Sequence, residues 1–143
     1  MSAPYVALDL AIPSDIHQIE HVVARVAETC RALRLTGRQC SFNVPVALSE
    51  ALSNAILRGN HEDTAKTVRL RATVSDADVV FDVIDEGPGF DLVADLHDPT
   101  TPDRLTREDG RGLFLMRKLM DGVEQFVDRG NVVRLTLKRP PAP

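Results

Sequence analysis

The sequence predicts an α+β fold in two layers, a mixed and mostly antiparallel sheet covered on one face by helices. Two patterns carry that reading. The N-terminal part holds two successive segments whose apolar residues recur at helical spacing, and the later chain holds two pairs of segments in which apolar and polar residues alternate. The order strand, helix, helix, strand, strand, helix, strand, strand groups helices on one side of a sheet instead of alternating them with every strand.

Taken in order, residues 5–11 alternate loosely and predict an opening edge strand. Pro13, Ser14 and Asp15 make a helix start, and Ile16, Ile19, Val23, Val26, Cys30 and Leu33 fall on one face, so a helix is expected over 14–34, ended by Thr36 and Gly37. A second helix begins between Arg38 and Pro45, since proline is tolerated in a first turn; it carries the stripe Leu48, Ala51, Leu52, Ala55 and Ile56 and stops at Gly59 and Asn60. Val68, Leu70, Ala72 and Val74 alternate with polar residues, Ser75 to Asp78 supply turn chemistry, and Val79 to Ile84 form a β-prone run, which together predict an antiparallel hairpin.

Residues 90–111 hold Pro99, Pro102 and many charges without a sustained period, and a stretch of that length usually has a function. We read 91–109 as a mobile lid. A short helix from Leu113 to Met120 follows, then a strand from Val123 to Val127, a turn at Asp128 to Asn131, and a strand in which Val133, Leu135 and Leu137 face one way. The tail with Pro140, Pro141 and Pro143 is expected to fray.

At 143 residues and 43% hydrophobic content, the span 1–143 is expected to be one domain around one core. A net charge of -4 argues against nucleic acid as a direct partner, because phosphate contacts need a basic stripe. No apolar run approaches the roughly 20 residues needed to span a bilayer, and no secretory leader opens the chain, so a cytoplasmic location without membrane contact is expected. Cys30 and Cys40 have no metal-ligand spacing with each other or with the histidines, and free thiols are expected. His17 and His21 are expected on the surface.

Three short motifs sit at junctions of these elements. Glu50 and Asn54 are four apart on the second helix and project from one face, opposite the apolar stripe, with Arg58 one turn further. Asp85 ends a buried strand and is followed by Gly87 and Gly89, which allow close backbone approach, around the stiffening Pro88. Gly110, Arg111 and Gly112 precede a helix, whose free N–H groups and positive dipole end suit phosphate oxygens. Each motif alone also has a plain reading, as a solvated helix face, a strand-ending turn and a charged loop. Their joint order carries the weight.

In that order, Glu50-Ala51-Leu52-Ser53-Asn54, Asp85-Glu86-Gly87-Pro88-Gly89 and Gly110-Arg111-Gly112 resemble the N, G1 and G2 boxes of the Bergerat-type ATP-binding fold shared by gyrase, Hsp90, histidine kinases and MutL. Ala47-Leu48-Ser49-Glu50-Ala51 and Gly112-Leu113-Phe114-Leu115-Met116 look most like the stand-alone anti-sigma-factor serine/threonine kinases. The resemblance implies ATP and Mg²⁺ as cofactors. It implies Asn54 as the magnesium ligand, Glu50 as the catalytic residue that orients or deprotonates an acceptor hydroxyl, and Asp85 as the acceptor for the exocyclic amine of adenine. Gly87, Gly89, Gly110, Arg111, Gly112 and Leu113 would line the nucleotide, Arg107 would reach its terminal phosphate, and Thr136 matches a threonine that helps hold adenine, although threonine is common in strands anyway. Relatives often carry histidine where this chain has Arg58.

Other phosphoryl-transfer signatures are missing: the sequence has no Gly-x-x-x-x-Gly-Lys-Ser/Thr loop and no His-Arg-Asp or Asp-Phe-Gly motif. The function the resemblance implies is a Mg-ATP-dependent kinase and anti-sigma factor that phosphorylates a STAS-domain anti-anti-sigma protein, with a sigma factor as second partner and a homodimer as an assembly seen among relatives. The alternatives are a regulator that binds ATP and sequesters a partner without transferring phosphate, and a detached catalytic domain acting on another chain.

Overall fold

The computed structural model describes residues 3–88 and 108–141, with side chains from Gly112 onward in the second span. Alternation of apolar and polar residues builds five strands: β1 (Tyr5–Pro13), β2 (Thr67–Val74), β3 (Asp78–Asp85), β4 (Gly122–Val127) and β5 (Asn131–Lys138). They lie in the order β1-β2-β3-β5-β4, and among the described residues every pairing is antiparallel, where the sequence led us to expect a mixed sheet. The physical reason is where β5 inserts. β3 and β4 both run antiparallel to β5, so they point the same way, and β5 lies between them so that they do not pair in parallel.

Helix α1 (Ile19–Cys30) is entered through a 3-10 turn, Ile16–Gln18, capped by Asp15, whose carboxylate accepts from the His17 N–H at 2.9 Å. It is shorter than the predicted 14–34 because the last residues unwind into turns and Arg34 adopts a left-handed φ of 56°. Helix α2 (Val44–Asn54) has proline in its first turn and is extended at both ends by π-helical turns, Gln39–Asn43 and Ala55–Gly59. Helix α3 (Glu108–Leu119) starts earlier than the expected Leu113, so Glu108 and Asp109 of the predicted lid open a helix, while the rest of that stretch, 91–107, lies outside the described residues.

One face of the sheet packs on the helices. Val68, Leu70, Ala72 and Val74 of β2, Val79, Phe81 and Val83 of β3, and Val133, Leu135 and Leu137 of β5 close on Val26, Leu48, Leu52, Ile56, Leu113 and Met116. Each of these side chains larger than alanine contributes about 1.5–3 kcal/mol by leaving water. The other face is charged. Arg69 pairs with Asp9 at 2.7 Å and Arg134 with Asp82 at 2.8 Å, and these partners hold the sheet's second face wet.

The tail through Pro140 does not fray. Arg34 donates to the Pro140 carbonyl at 3.3 Å, and Arg139 donates to the carbonyls of Leu33 at 2.9 Å and Ser75 at 2.7 Å. Those acceptors are backbone oxygens, which carry no mark in a sequence. Cys30 and Cys40 are free and buried, and burial pushes the Cys30 thiol up to about 12, which makes it an unreactive core residue. His17 and His21 are exposed, as expected. Among the described residues no helix is long and apolar enough to cross a membrane.

Candidate nucleotide site

Asp85 is the last residue of β3 and only 1% exposed. It lies on the helix-facing side, continuing the row Val79, Phe81 and Val83, so its carboxylate points into the layer between sheet and helices. One oxygen, Oδ1, accepts the Gly87 N–H at 2.8 Å, and the other, Oδ2, accepts Nδ2 of Asn131 at 3.0 Å. Burial raises its pKa above the ordinary value, against the lowering effects of the Asn131 and Gly87 hydrogen bonds and the Lys66 charge. Two donors leave acceptor capacity on a carboxylate with about four lone-pair sites. A base presenting an amine hydrogen there meets a preformed acceptor.

Glycines shape this position from three sides. A Cβ on Gly59 would strike the Asp85 carboxylate, one on Gly87 would strike the Gly59 carbonyl, and one on Gly130, at a φ of +139°, would strike the Asp85 carbonyl. Asn60 then ties the end of the α2 segment to the strand-end turn. Its Oδ1 accepts the Glu86 N–H at 2.8 Å, and its Nδ2 donates to the Ser14 hydroxyl at 2.9 Å and the Thr67 carbonyl at 3.0 Å. The first two motifs are therefore held together by backbone-to-backbone contact that only these small residues allow.

On α2, Glu50 and Asn54 share the face expected from their spacing. Glu50 reaches the neighbouring helix: a Cβ on Gly112 of α3 would lie 2.8 Å from Glu50 Oε2, so the third motif is glycine where the carboxylate of the first crosses it. Asn54 is 6% exposed, and its Nδ2 has no hydrogen-bond partner. An unpaired buried amide costs about 1–3 kcal/mol, the kind of deficit that a ligand removes. A half-turn of the carboxamide presents its oxygen at the same spot, which suits a hard cation. Among the described residues no cluster of three His, Cys, Asp or Glu could hold a metal, so Mg²⁺ here would take its oxygens from Asn54, phosphate and water. The residues fit that ion.

The structure thus brings together Glu50, Asn54, Asp85, Gly87 and Gly112. Gly110 and Arg111 lie in the first turn of α3, where N–H groups have no intrahelical acceptor, whereas the N–H groups of Gly112 and Leu113 fall inside the helix. The Leu113 side chain is core, 1% exposed. Gly89 and Arg107 lie outside the described residues. Thr136 is on the wrong face: it pairs with Val80 and Gly122, an odd number of residues along β5 from Asn131, and shares its side with Arg134. Asn131, paired in register with Asp85, holds the place expected of Thr136. Sequence reasoning missed Asn131, Gly59, Asn60 and Gly130; the one signal was the Gly130-Asn131 pair opening a strand.

A helix-backed antiparallel sheet with this constellation defines the ATP-binding fold of the gyrase, Hsp90, histidine-kinase and MutL type. Residues 12–137 match the histidine kinase-like ATPase domain family. Over 118 residues the chain is 30% identical to the anti-sigma F factor of Clostridium beijerinckii, a stretch covering 81% of this chain and 82% of that protein. It is 33% identical over 97 residues to the anti-sigma F factor of Caldanaerobacter subterraneus subsp. tengcongensis, covering 66% of this chain and 67% of the other. In fold it is similar to the RsbU and RsbW domains of Rv1364c from Mycobacterium tuberculosis, with a TM-score of 0.65 and 19% identity over 98% of this chain and 33% of that longer one. The chain belongs to the anti-sigma-factor kinase branch of the histidine kinase-like ATPase family.

Proposed function

We propose that the protein is a Mg-ATP-dependent serine/threonine kinase and anti-sigma factor that phosphorylates a STAS-domain antagonist in a partner-switching cycle. The observation that carries this reading is the Glu50 carboxylate set against Gly112, one helical turn from the buried, unpaired Asn54 amide. Relatives named anti-sigma F factor support a sigma factor as the partner held and released.

In the transfer, a serine or threonine hydroxyl oxygen of the antagonist forms a bond to the γ-phosphorus of ATP. The bond from that phosphorus to the β–γ bridging oxygen breaks, and ADP leaves. Glu50 orients the hydroxyl and takes its proton. Asp85 accepts the adenine amine and fixes the base, while the free N–H groups at the start of α3 hold phosphate oxygens. Asn54 would hold Mg²⁺, which would supply charge neutralisation at the phosphates. Arg107 and Arg111 are assigned to the terminal phosphate. The surroundings are cytoplasmic in this reading, as transcriptional partners require.

Incubation with labelled ATP, Mg²⁺ and candidate STAS proteins tests the proposal. Glu50→Ala is expected to keep ATP affinity and lose transfer by about 10² to 10⁴, the usual worth of general-base help. Undiminished transfer by that variant sinks the base assignment. Tight ATP binding with no transfer by the wild-type protein to any STAS partner favours the regulator that sequesters without phosphorylating.

A further inference from the structure

Asn131 does not act alone on Asp85. Its Nδ2 donates to Asp85 Oδ2 at 3.0 Å, and its Oδ1 accepts Nε2 of Gln125, on the neighbouring strand β4, also at 3.0 Å. Asn131 is 2% exposed, while Gln125 is half-buried. A primary amide has a donor end and an acceptor end, and a half-turn exchanges them. Gln125, donating to the oxygen end, decides which way the Asn131 amide stands. The nitrogen end is thereby committed to Asp85.

We propose that the Gln125–Asn131 amide pair is a positioning device that holds Asp85 as a hydrogen-bond acceptor and so sets the adenine-over-guanine choice of the nucleotide site. This rests on the reading of Asp85 as the adenine contact. The chemistry is a matter of matching edges: adenine presents an amine, a donor, where guanine presents a carbonyl oxygen, an acceptor. An ionised Asp85 can only accept, and therefore pairs with adenine. A protonated Asp85 could donate, and would meet the guanine carbonyl instead.

Which form prevails depends on what faces the carboxyl. Burial favours the neutral acid. The Gly87 N–H from its own turn, the Lys66 charge from the loop before β2 and the Asn131 amide from β5 favour the ion, while Gly59 offers no side chain. Of these, only the amide has an orientation that a third residue controls.

The test uses two substitutions and Mg-ATP and Mg-GTP titrations across acid to neutral pH. Asn131→Leu deletes the donor. Gln125→Glu turns the relay around, because a carboxylate at 125 accepts the Asn131 nitrogen and leaves the Asn131 oxygen facing Asp85. Both are expected to weaken ATP about tenfold, to leave GTP unchanged or tighter, and to move the acid limb of ATP binding to higher pH. A residue that only supported the fold would lower thermal stability without moving the ATP-to-GTP ratio or the limb.

Gln125→Met, near-isosteric and free of amide groups, replaces either variant that does not fold, with the same readouts and the same direction of change. The proposal is overturned if the folded variants keep the wild-type nucleotide ratio and acid limb. Equal wild-type affinity for ATP and GTP is a different result, and it overturns the adenine reading of Asp85 itself.

Discussion

Asp85 concentrates the physical demands of the site in one carboxylate. It is buried, yet it accepts an amine best as the ion, and its two partners, Gly87 and Asn131, meet only part of the cost of burial. Because burial raises its pKa in the folded protein, the folded state holds a proton that the unfolded chain releases near the ordinary value of 3.8. Its contribution to stability is therefore fully present below that value and is lost as pH rises through the raised folded pKa. In the proposed site nucleotide affinity runs the other way, since the ion is the stronger acceptor for the adenine amine. Calorimetric titration is expected to show ATP binding weakening as pH falls through the raised pKa, and Asp85→Asn should cost about 1.5–3 kcal/mol of binding at neutral pH. An affinity flat with pH and unchanged in Asp85→Asn would remove the residue from the base pocket.

Gly112 makes a second residue-scale case. Alanine is a better helix former than glycine, so Gly112→Ala is expected to leave the melting temperature unchanged or higher. Its methyl group would nonetheless sit 2.8 Å from Glu50 Oε2 and push the carboxylate aside. Transfer to a STAS partner should fall about a hundredfold, with ATP affinity much less affected, as expected when a reacting group is misplaced by about an ångström. A variant with full transfer rate would show that the Glu50 carboxylate need not stand where it does.

At the scale of elements, α2 and its π-helical extension form the spine of the site. The α2 segment carries Glu50 and Asn54, and the extension ends in Gly59, against which the Asp85 carboxylate lies. One rigid rod thus spaces the three residues to which the proposed mechanism assigns base, metal and proton. Asn54→Ala is expected to abolish the Mg-dependent part of ATP binding, whereas Arg58→Ala, one turn on, should leave binding and transfer largely intact. Titrations with and without Mg²⁺ check both, and a more damaging Arg58→Ala would reassign that face of the helix. Gly59→Ala should remove ATP binding for a steric reason, and size-exclusion and melting data separate that loss from unfolding.

For the whole molecule, ligand binding and folding are linked. A nucleotide that binds only the folded protein raises stability by about 2.7 kcal/mol at a hundred times its dissociation constant. Thermal melts should therefore rise with Mg-ATP, less with Mg-GTP, and in Asn54→Ala no more with Mg-ATP than with ATP alone. The core should respond independently of nucleotide: Phe81→Ala, at a site with no exposure beneath the helices, should cost about 3–5 kcal/mol by denaturant unfolding. A melt that ignored Mg-ATP would speak against the site as built.

Much of this molecule was legible in the chain because local physics writes its own signature. The alternation in 68–84 and 123–138 dictated strands, the helical stripe from Leu48 to Ile56 dictated α2, and the four-residue spacing placed Glu50 and Asn54 on one face whatever the tertiary fold. What remained depended on partners distant in sequence. The start of α3 at Glu108, the clasp of Arg34 and Arg139 on backbone carbonyls, and the insertion of β5 that makes the sheet wholly antiparallel leave no local periodicity. The clearest case is the residue beside Asp85. Thr136 and Asn131 stand on one strand, and only the register between β3 and β5, which a shift of one residue would invert, decides that Asn131 lies on the helix-covered face beside Asp85 and Thr136 on the other.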